Sequence, residues 1–121
     1  MEEQKNLYSQ LNSQMELNDI QDYIKKVIEI RGFGNQPIEQ AMLLLVEEVG
    51  ELAKAIRKEK TNMCIDKYKI NNYDTVEGEI ADVFIVLTTV CNLLNINLYD
   101  AFYEKEKINI ERLWKNNNKD A

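Results

Sequence analysis

The 121-residue sequence contains no histidine, one proline, two cysteines and four glycines. The lack of histidine argues against a His-based nucleophilic dyad and against zinc sites, because both commonly depend on imidazole. The cysteines, Cys64 and Cys91, form no CxxC motif, so we expect them to be reduced in the cytoplasm. With so little proline and glycine to form turns, a few long helices are favoured over many short strands.

The charge and hydropathy of the sequence argue against nucleic-acid and membrane partners. The net charge of -6 and the pI near 4.7 argue against coating of DNA or RNA, since phosphate binding requires clustered Lys and Arg. The longest apolar run, residues 83–94, is too short to span a bilayer, and the N-terminus does not have the pattern of a signal peptide. We therefore expect one globular cytoplasmic domain with neither nucleic-acid nor membrane partners.

Helical periodicity predicts two helices in the first half of the chain. The first takes Asn18 as its N-cap and stops at Gly32. The second has Pro37 in its first turn and runs to about Lys60. Its buried stripe is predicted to consist of apolar residues at helical spacing: Ile38, Ala41, Leu45, Val49, Leu52 and Ile56.

Two further helices are predicted in the second half. The third begins after a capping box of Asp74 and Glu77 and ends near Leu94. The fourth begins at Asn97, with Asp100 in its first turn, and reaches about Trp114. The fold class is therefore all-α and resembles a four-helix bundle. The predicted division is a polar extension with a weak helical stripe (Leu7, Leu11, Met15), the helical domain and a disordered tail: 1–17, 18–115 and 116–121.

Acidic residues stand beside the apolar stripe in two of these helices. Glu48 and Glu51 are three residues apart and share a face that borders the predicted core, with Glu47 at its edge. Glu79 and Asp82 repeat this spacing, and their row continues into the apolar face of the third helix. If these helices pack antiparallel, four or five carboxylates converge on one place.

Two interpretations of these acids compete. An isolated EExxE on a helix is usually a solvated face with i,i+4 ion pairs. An ExxD pair on an apolar face is harder to explain in that way, because buried carboxylates repel one another. A divalent cation would remove this repulsion, and an all-oxygen ligand set suits Mg²⁺ or Mn²⁺.

These motifs resemble those of the MazG-like all-α nucleoside triphosphate pyrophosphohydrolases. The resemblance rests on EEVGELAKAIRK, on GEIADVFIVLTTVCNLLNINLYDAF and on a Lys-x-x-x-Asn-x-x-Arg ending in KEKINIERLW, and it covers roughly residues 19–114. It implies a helical bundle that forms a homodimer or homotetramer. It also implies Mg²⁺-dependent hydrolysis of a nucleoside triphosphate to the monophosphate and pyrophosphate, with Mn²⁺ able to substitute, through attack of metal-activated water on the α-phosphorus.

The resemblance also assigns roles to individual acids. It makes Glu48, Glu51, Glu79 and Asp82 the metal ligands. Glu47 is then the extra acid, which binds a second ion or orients the attacking water, and it is our candidate catalytic residue.

Phosphate contacts are expected from basic residues. Lys105, Asn109 and Arg112 lie at helical spacing on a row that continues back to apolar positions, so they can bind the β- and γ-phosphates. From the residues alone, a solvated charged face explains this row equally well. Lys54 can likewise bind phosphate or pair with Glu51.

Two other functions remain open. A phosphoribosyl-ATP pyrophosphohydrolase would share this acid pattern, although the INIERLW ending favours the MazG-like branch. A non-catalytic helical interaction module would leave the acids solvated. Oligomerisation is expected on physical grounds too, because the third helix is apolar nearly all round and needs cover that a small chain does not supply.

Overall fold

The computed structural model describes residues 1–66 and 74–112. Within these ranges all the regular secondary structure is helical and there is no strand, which confirms the predicted all-α class. The helices, in chain order, are α1 (Glu2–Ser9), α2 (Leu17–Ile30), α3 (Ile38–Lys60), α4 (Val76–Leu93) and α5 (Leu98–Asn109).

The predicted stop of α2 is confirmed and its predicted cap is wrong. Gly32 has a φ of 91°, a left-handed conformation that glycine adopts without strain, so the helix ends just before it. At the other end the Asp19 carboxylate accepts a hydrogen bond from the backbone N–H of Glu16, which precedes the helix. Asn18 lies in the first turn and instead accepts a hydrogen bond from the Asn97 side chain at 2.9 Å.

Helices α3 and α4 lie close to their predicted bounds. Pro37 immediately precedes α3, and that helix ends at Lys60 as expected. The cap of α4 is Thr75 rather than Asp74, since the Thr75 hydroxyl accepts the backbone N–H of Gly78 at 3.0 Å. Thr75 is the cap because its hydroxyl lies within hydrogen-bond distance of the Gly78 N–H, which has no partner inside the helix.

The turn into α5 follows the predicted pattern. Asn95 has a φ of 55°, and the Asn97 side chain accepts the backbone N–H of Asp100 at 2.8 Å, as a helix cap should. The helix ends at Asn109, earlier than predicted. The predicted end at Trp114, the predicted tail 116–121 and residues 67–73 of the predicted loop lie outside the described residues.

The N-terminal extension is helical only at its beginning. Of its predicted stripe, Leu7 lies in α1, whereas Leu11 and Met15 follow the helix. Helix α1 packs against α2.

The main interface of the fold is that between α3 and α4. Glu48 meets the N-terminal part of α4, whereas Phe33, just before α3, lies beside Leu93 at the other end, so the two helices run antiparallel. On α3 the fully buried residues are Ala41 and Ala55.

The predicted core stripe of α3 is therefore partly wrong. Ala41 is buried and Leu45 and Leu52 are half-buried, but Val49 is 49% exposed and Ile56 is also exposed. The buried face is rotated towards Glu48 and Ala55. The apolar stripe of α3 is wide enough to contact two neighbouring helices. Among the described residues only α4 packs closely against α3, so only the part of the stripe that faces α4 is buried.

Both helices display a further apolar row towards solvent. Each row advances in alternating steps of four and three residues, the spacing at which a helix meets a partner helix in a bundle. The row of α3 is Met42, Val46, Val49, Ala53 and Ile56, all exposed. The row of α4 is Ile80, Phe84, Leu87 and Cys91, and it continues to Leu94 just after the helix. Ile80, Leu87 and Leu94 are exposed, whereas Phe84 is half-buried and Cys91 is buried.

A buried glutamine fixes α2 to the turn between α4 and α5. The Gln21 amide group donates to the Asn92 side chain and to the Ile96 carbonyl, both at 2.8 Å. Its oxygen accepts the backbone N–H of Leu98 at 2.8 Å. These bonds hold α5 against α2 at an angle of 96° to α4.

Among the described residues, no single helix is both long and apolar enough to cross a membrane; α4 and α5 meet the criterion only as a bent pair.

Replacement of the buried glutamine tests this connection. We expect Gln21→Leu to destabilise the fold by about 2 kcal/mol, because it leaves the Leu98 N–H and the Ile96 carbonyl without their partner. Chemical denaturation measures the change. Gln40→Leu, at an exposed position on α3, is the matched control and should have almost no effect; equal losses in the two variants would contradict the assigned role.

Candidate metal centre

Three carboxylates from two helices meet in the α3–α4 interface. Glu48 lies midway along α3, and Glu79 and Asp82 occupy the first two turns of α4. One oxygen of each lies within 4.8 Å of the others. We call these three residues the acid cluster. Antiparallel packing places these three together, whereas the sequence pattern predicted that four or five carboxylates would converge.

The acid cluster is electrostatically costly without a cation. Glu79 is only 5% exposed, and its Oε2 atom is buried without a hydrogen-bond partner. Burial, followed by repulsion from Glu48 and Asp82, raises the pKa of Glu79 to about 7. Burial and the charge of Asp82 also raise the pKa of Glu48. A protonated Glu79 hydrogen-bonded to Glu48 relieves part of this repulsion.

This arrangement fits a hard divalent cation. The donors are carboxylate oxygens, which Mg²⁺ and Mn²⁺ prefer, and the buried Glu79 Oε2 has a lone pair available for a ligand. A cation would neutralise the repulsion that otherwise holds a proton on Glu79. Glu48, Glu79 and Asp82 are the side chains that could hold it directly.

The other two predicted acids border the cluster. Glu51 is half-buried and pairs with Lys54 at 3.5 Å, which is the ion pair that competed with a phosphate role for that lysine. Glu47 is exposed. Both lie close enough to contribute to the raised pKa of Glu48, although neither belongs to the acid cluster.

The other three predicted phosphate-binding residues, Lys105, Asn109 and Arg112, which form the basic row, lie on α5 or just after it, away from the acid cluster. Lys105 and Arg112 are exposed and Asn109 is half-buried, and α5 has no buried residue, so in one chain their row does not face inward. The main contacts of α5 are with α2, at the end of α4 that is opposite to the acid cluster. The structure therefore does not bring this row to Glu48, Glu79 and Asp82 within one chain.

One residue of the electrostatic environment was missed from the sequence. Asp74 contributes to the raised pKa of Glu79. The sequence pattern predicts only a capping role for Asp74. The signal that reveals its electrostatic role is the density of acids around the start of α4, where residues 74, 77, 79 and 82 are all acidic.

Comparison with known families identifies this arrangement. The MazG nucleotide pyrophosphohydrolase domain matches residues 36–112, a range that contains the whole acid cluster and α5. The chain belongs to the MazG nucleotide pyrophosphohydrolase family. Neither the curated proteins nor the solved structures compared with it include a significant match. Membership in the family supports a hydrolase that acts on nucleotides, and it confirms the resemblance found in the acid motifs.

The raised pKa of Glu79 predicts an unusual pH dependence for the metal-free MazG domain. The folded state keeps the Glu79 proton up to about pH 7, whereas an unfolded chain releases it near the ordinary glutamate pKa of 4.5. Stability should therefore be greatest below pH 4.5 as far as this group is concerned, and should fall as the pH rises through 7. Melting temperatures measured with EDTA across this range test the prediction.

The matched control for that experiment is an exposed acid in the same turn. Glu79→Gln should flatten the decline, since glutamine does not titrate, whereas Glu77→Gln should leave it unchanged. A decline that persists in Glu79→Gln would show that another group causes it.

A divalent cation should stabilise the folded protein. At ten times its dissociation constant, Mg²⁺ should raise the melting temperature by about 5 °C, since mass action then adds about 1.4 kcal/mol. The gain should be larger at pH 8 than at pH 5.5, because Glu79 must lose its proton. Glu48→Gln should abolish it and Glu59→Gln, exposed on the same helix, should retain it; no shift in the unmodified protein would argue for the interaction module.

Proposed function

We propose that this MazG domain is a Mg²⁺-dependent nucleoside triphosphate pyrophosphohydrolase, which converts a nucleoside or deoxynucleoside triphosphate to the monophosphate and pyrophosphate. The observation that carries the proposal is the convergence of three mutually repelling carboxylates between α3 and α4, with Glu79 buried and Glu48 and Asp82 half-buried, inside the matched domain. Such an arrangement costs stability in a purely structural protein. It is useful in a protein that binds a cation together with a polyanionic substrate.

The acids divide into two roles. Glu48, Glu79 and Asp82 would hold the cation, with Glu51 able to join after release of Lys54. When bound, Mg²⁺ supplies positive charge against the phosphate oxygens and makes water easier to deprotonate. Glu47, exposed at the edge of the cluster, can orient water by accepting its proton. Water then adds to the α-phosphorus, the bond from that phosphorus to the bridging oxygen breaks, and pyrophosphate leaves.

The proposed functional unit is a homodimer, or a homotetramer made from two such dimers. The exposed rows of α3 and α4 support this, because Val49, Ile56, Ile80 and Leu87 would otherwise face water. Two helices from each copy would complete a four-helix bundle around them. A sedimenting species of the mass of one chain at micromolar concentration would argue against this assembly.

Activity is tested with a panel of substrates. Purified protein with Mg²⁺ should release pyrophosphate from at least one ribo- or deoxyribonucleoside triphosphate. Asp82→Asn should lower the rate at least about 100-fold, since even the outer partners of metal sites change activity by about 10- to 100-fold. Asp100→Asn, an exposed acid in the first turn of α5, is the matched control and should keep the rate.

Two results would contradict the proposal and favour one of the alternative functions. Faster turnover of phosphoribosyl-ATP than of any nucleoside triphosphate would favour the alternative pyrophosphohydrolase. If no substrate in the panel releases pyrophosphate although circular dichroism shows a folded helical protein, the result would favour the non-catalytic interaction module.

A further inference from the structure

A pocket of about 640 Å³ lies between the N-terminal segment, α2 and α4. Its walls are formed by residues between Tyr8 and Met15, by residues in the first two turns of α2, and by Ala81, Phe84 and Ile85 of α4. We call it the N-terminal pocket. Its volume is within the range of about 300–1,000 Å³ that is typical of small-molecule sites. Only its α4 wall belongs to the matched MazG domain, so residues that precede this domain form most of the pocket.

Hydrogen bonds hold the outer wall of the N-terminal pocket in place. The Arg31 Nε donates to the Gln4 Oε1 at 2.6 Å, which ties α1 to the end of α2. After α1, the Asn12 side chain accepts the backbone N–H of Gln14 at 3.0 Å and closes a turn. These bonds give the segment a defined path beside α2, so the pocket is a built feature of the fold.

The lining of the N-terminal pocket is aromatic and uncharged. It includes the rings of Tyr8, Tyr23 and Phe84, and none of the described residues that line it carries a charge. Tyr8 is 67% exposed whereas Ile24 is 3% exposed, so the pocket extends from solvent to the core. Aromatic walls favour a flat ring through stacked or edge-to-face contacts. An ionised ligand would lose hydration there without gaining a counter-charge, so the chemistry favours a neutral occupant.

The N-terminal pocket and the acid cluster lie on different sides of α4. The acid cluster takes Glu79 and Asp82 from this helix, whereas the pocket takes Ala81, Phe84 and Ile85. With about 3.6 residues per turn, these two sets point about 140° apart around the helix axis. Helix α3 packs on the side of the acids, and α2 packs on the side of the pocket. The body of α4 separates them, so the pocket is not a continuation of the acid cluster.

We propose that the N-terminal pocket binds an uncharged aromatic small molecule that is not the substrate of the acid cluster. The proposal goes beyond the proposed hydrolase function and does not depend on it. Because the segment that precedes the MazG domain forms most of the walls, the site is an addition of this chain to that domain. Helix α4 lines both sites, so a ligand here would stabilise the helix that carries Glu79 and Asp82.

Two fluorescent probes with the same ring system test the chemistry of the site. N-phenyl-1-naphthylamine is neutral, whereas 8-anilinonaphthalene-1-sulfonate adds one negative charge. We expect the neutral probe to bind at least about tenfold more tightly, because the described lining offers no counter-charge and the chain carries a net charge of -6. Fluorescence titration measures both dissociation constants. Equal or tighter binding of the sulfonate would overturn the proposal.

Substitutions on two walls of the pocket locate the bound probe. Ala81 is exposed, so the ring added by Ala81→Phe can occupy the pocket, and it should weaken binding of the neutral probe about tenfold or more. Tyr8→Ala removes a ring from the N-terminal wall and should also weaken binding. Ala101→Phe and Tyr103→Ala, at exposed positions of α5, are the matched controls and should leave it unchanged. Unchanged binding in both pocket variants would overturn the proposal.

Competition with nucleotides separates the pocket from the acid cluster. A mixture of deoxynucleoside triphosphates with Mg²⁺, at millimolar concentration, should leave the neutral probe bound, because the two sites lie on different sides of α4. Displacement of the probe would make the pocket part of the substrate site and would overturn the proposal. Pyrophosphate release, measured without the probe, decides the hydrolase function separately.

Discussion

Repulsion among three carboxylates in the α3–α4 interface is the constraint on which the rest of the structure depends. Glu79 is almost completely buried beside Glu48 and Asp82, and the free energy of this arrangement is tolerable only with a proton or a cation in place. Neither helix could be redesigned as a purely apolar surface without losing the cluster. The interface therefore serves two purposes, since it joins the helices and concentrates negative charge.

That double purpose explains why the buried face of α3 is narrow. Acidic side chains occupy positions that hold large apolar residues in an ordinary core helix. The residues of α3 that are fully buried are both alanines. Ala41 and Ala55 lie seven residues to either side of Glu48, so small side chains flank the acid cluster on the buried face of α3. The large apolar residues of α3, such as Val49 and Ile56, are left on another face, and this is why one chain covers so little of its own hydrophobic surface.

Features encoded by neighbouring residues could be predicted from the sequence. Gly32 and Asn97 mark helix ends by local conformation and capping, and the three-residue spacing of Glu79 and Asp82 fixes their common face. The direction of a helix after a turn is different, because it depends on contacts between distant residues. The position of α5 is set by Gln21 and its bonds to the following turn, and no local pattern reveals that a glutamine in α2 holds Leu98.

The same distinction separates the two halves of the candidate site. The acid cluster was predictable because antiparallel packing of adjacent helices is enough to form it. The basic row was only half predictable, since helical spacing gives its common face but not the surface that this face meets. In a single chain it lies on and just after α5, which packs against α2 at the far end of α4 from the acids, and Phe102 and Ile108 beside it are exposed. A chain too small to cover α4 thus leaves apolar residues of both α3 and α4, such as Val49 and Leu87, exposed to solvent.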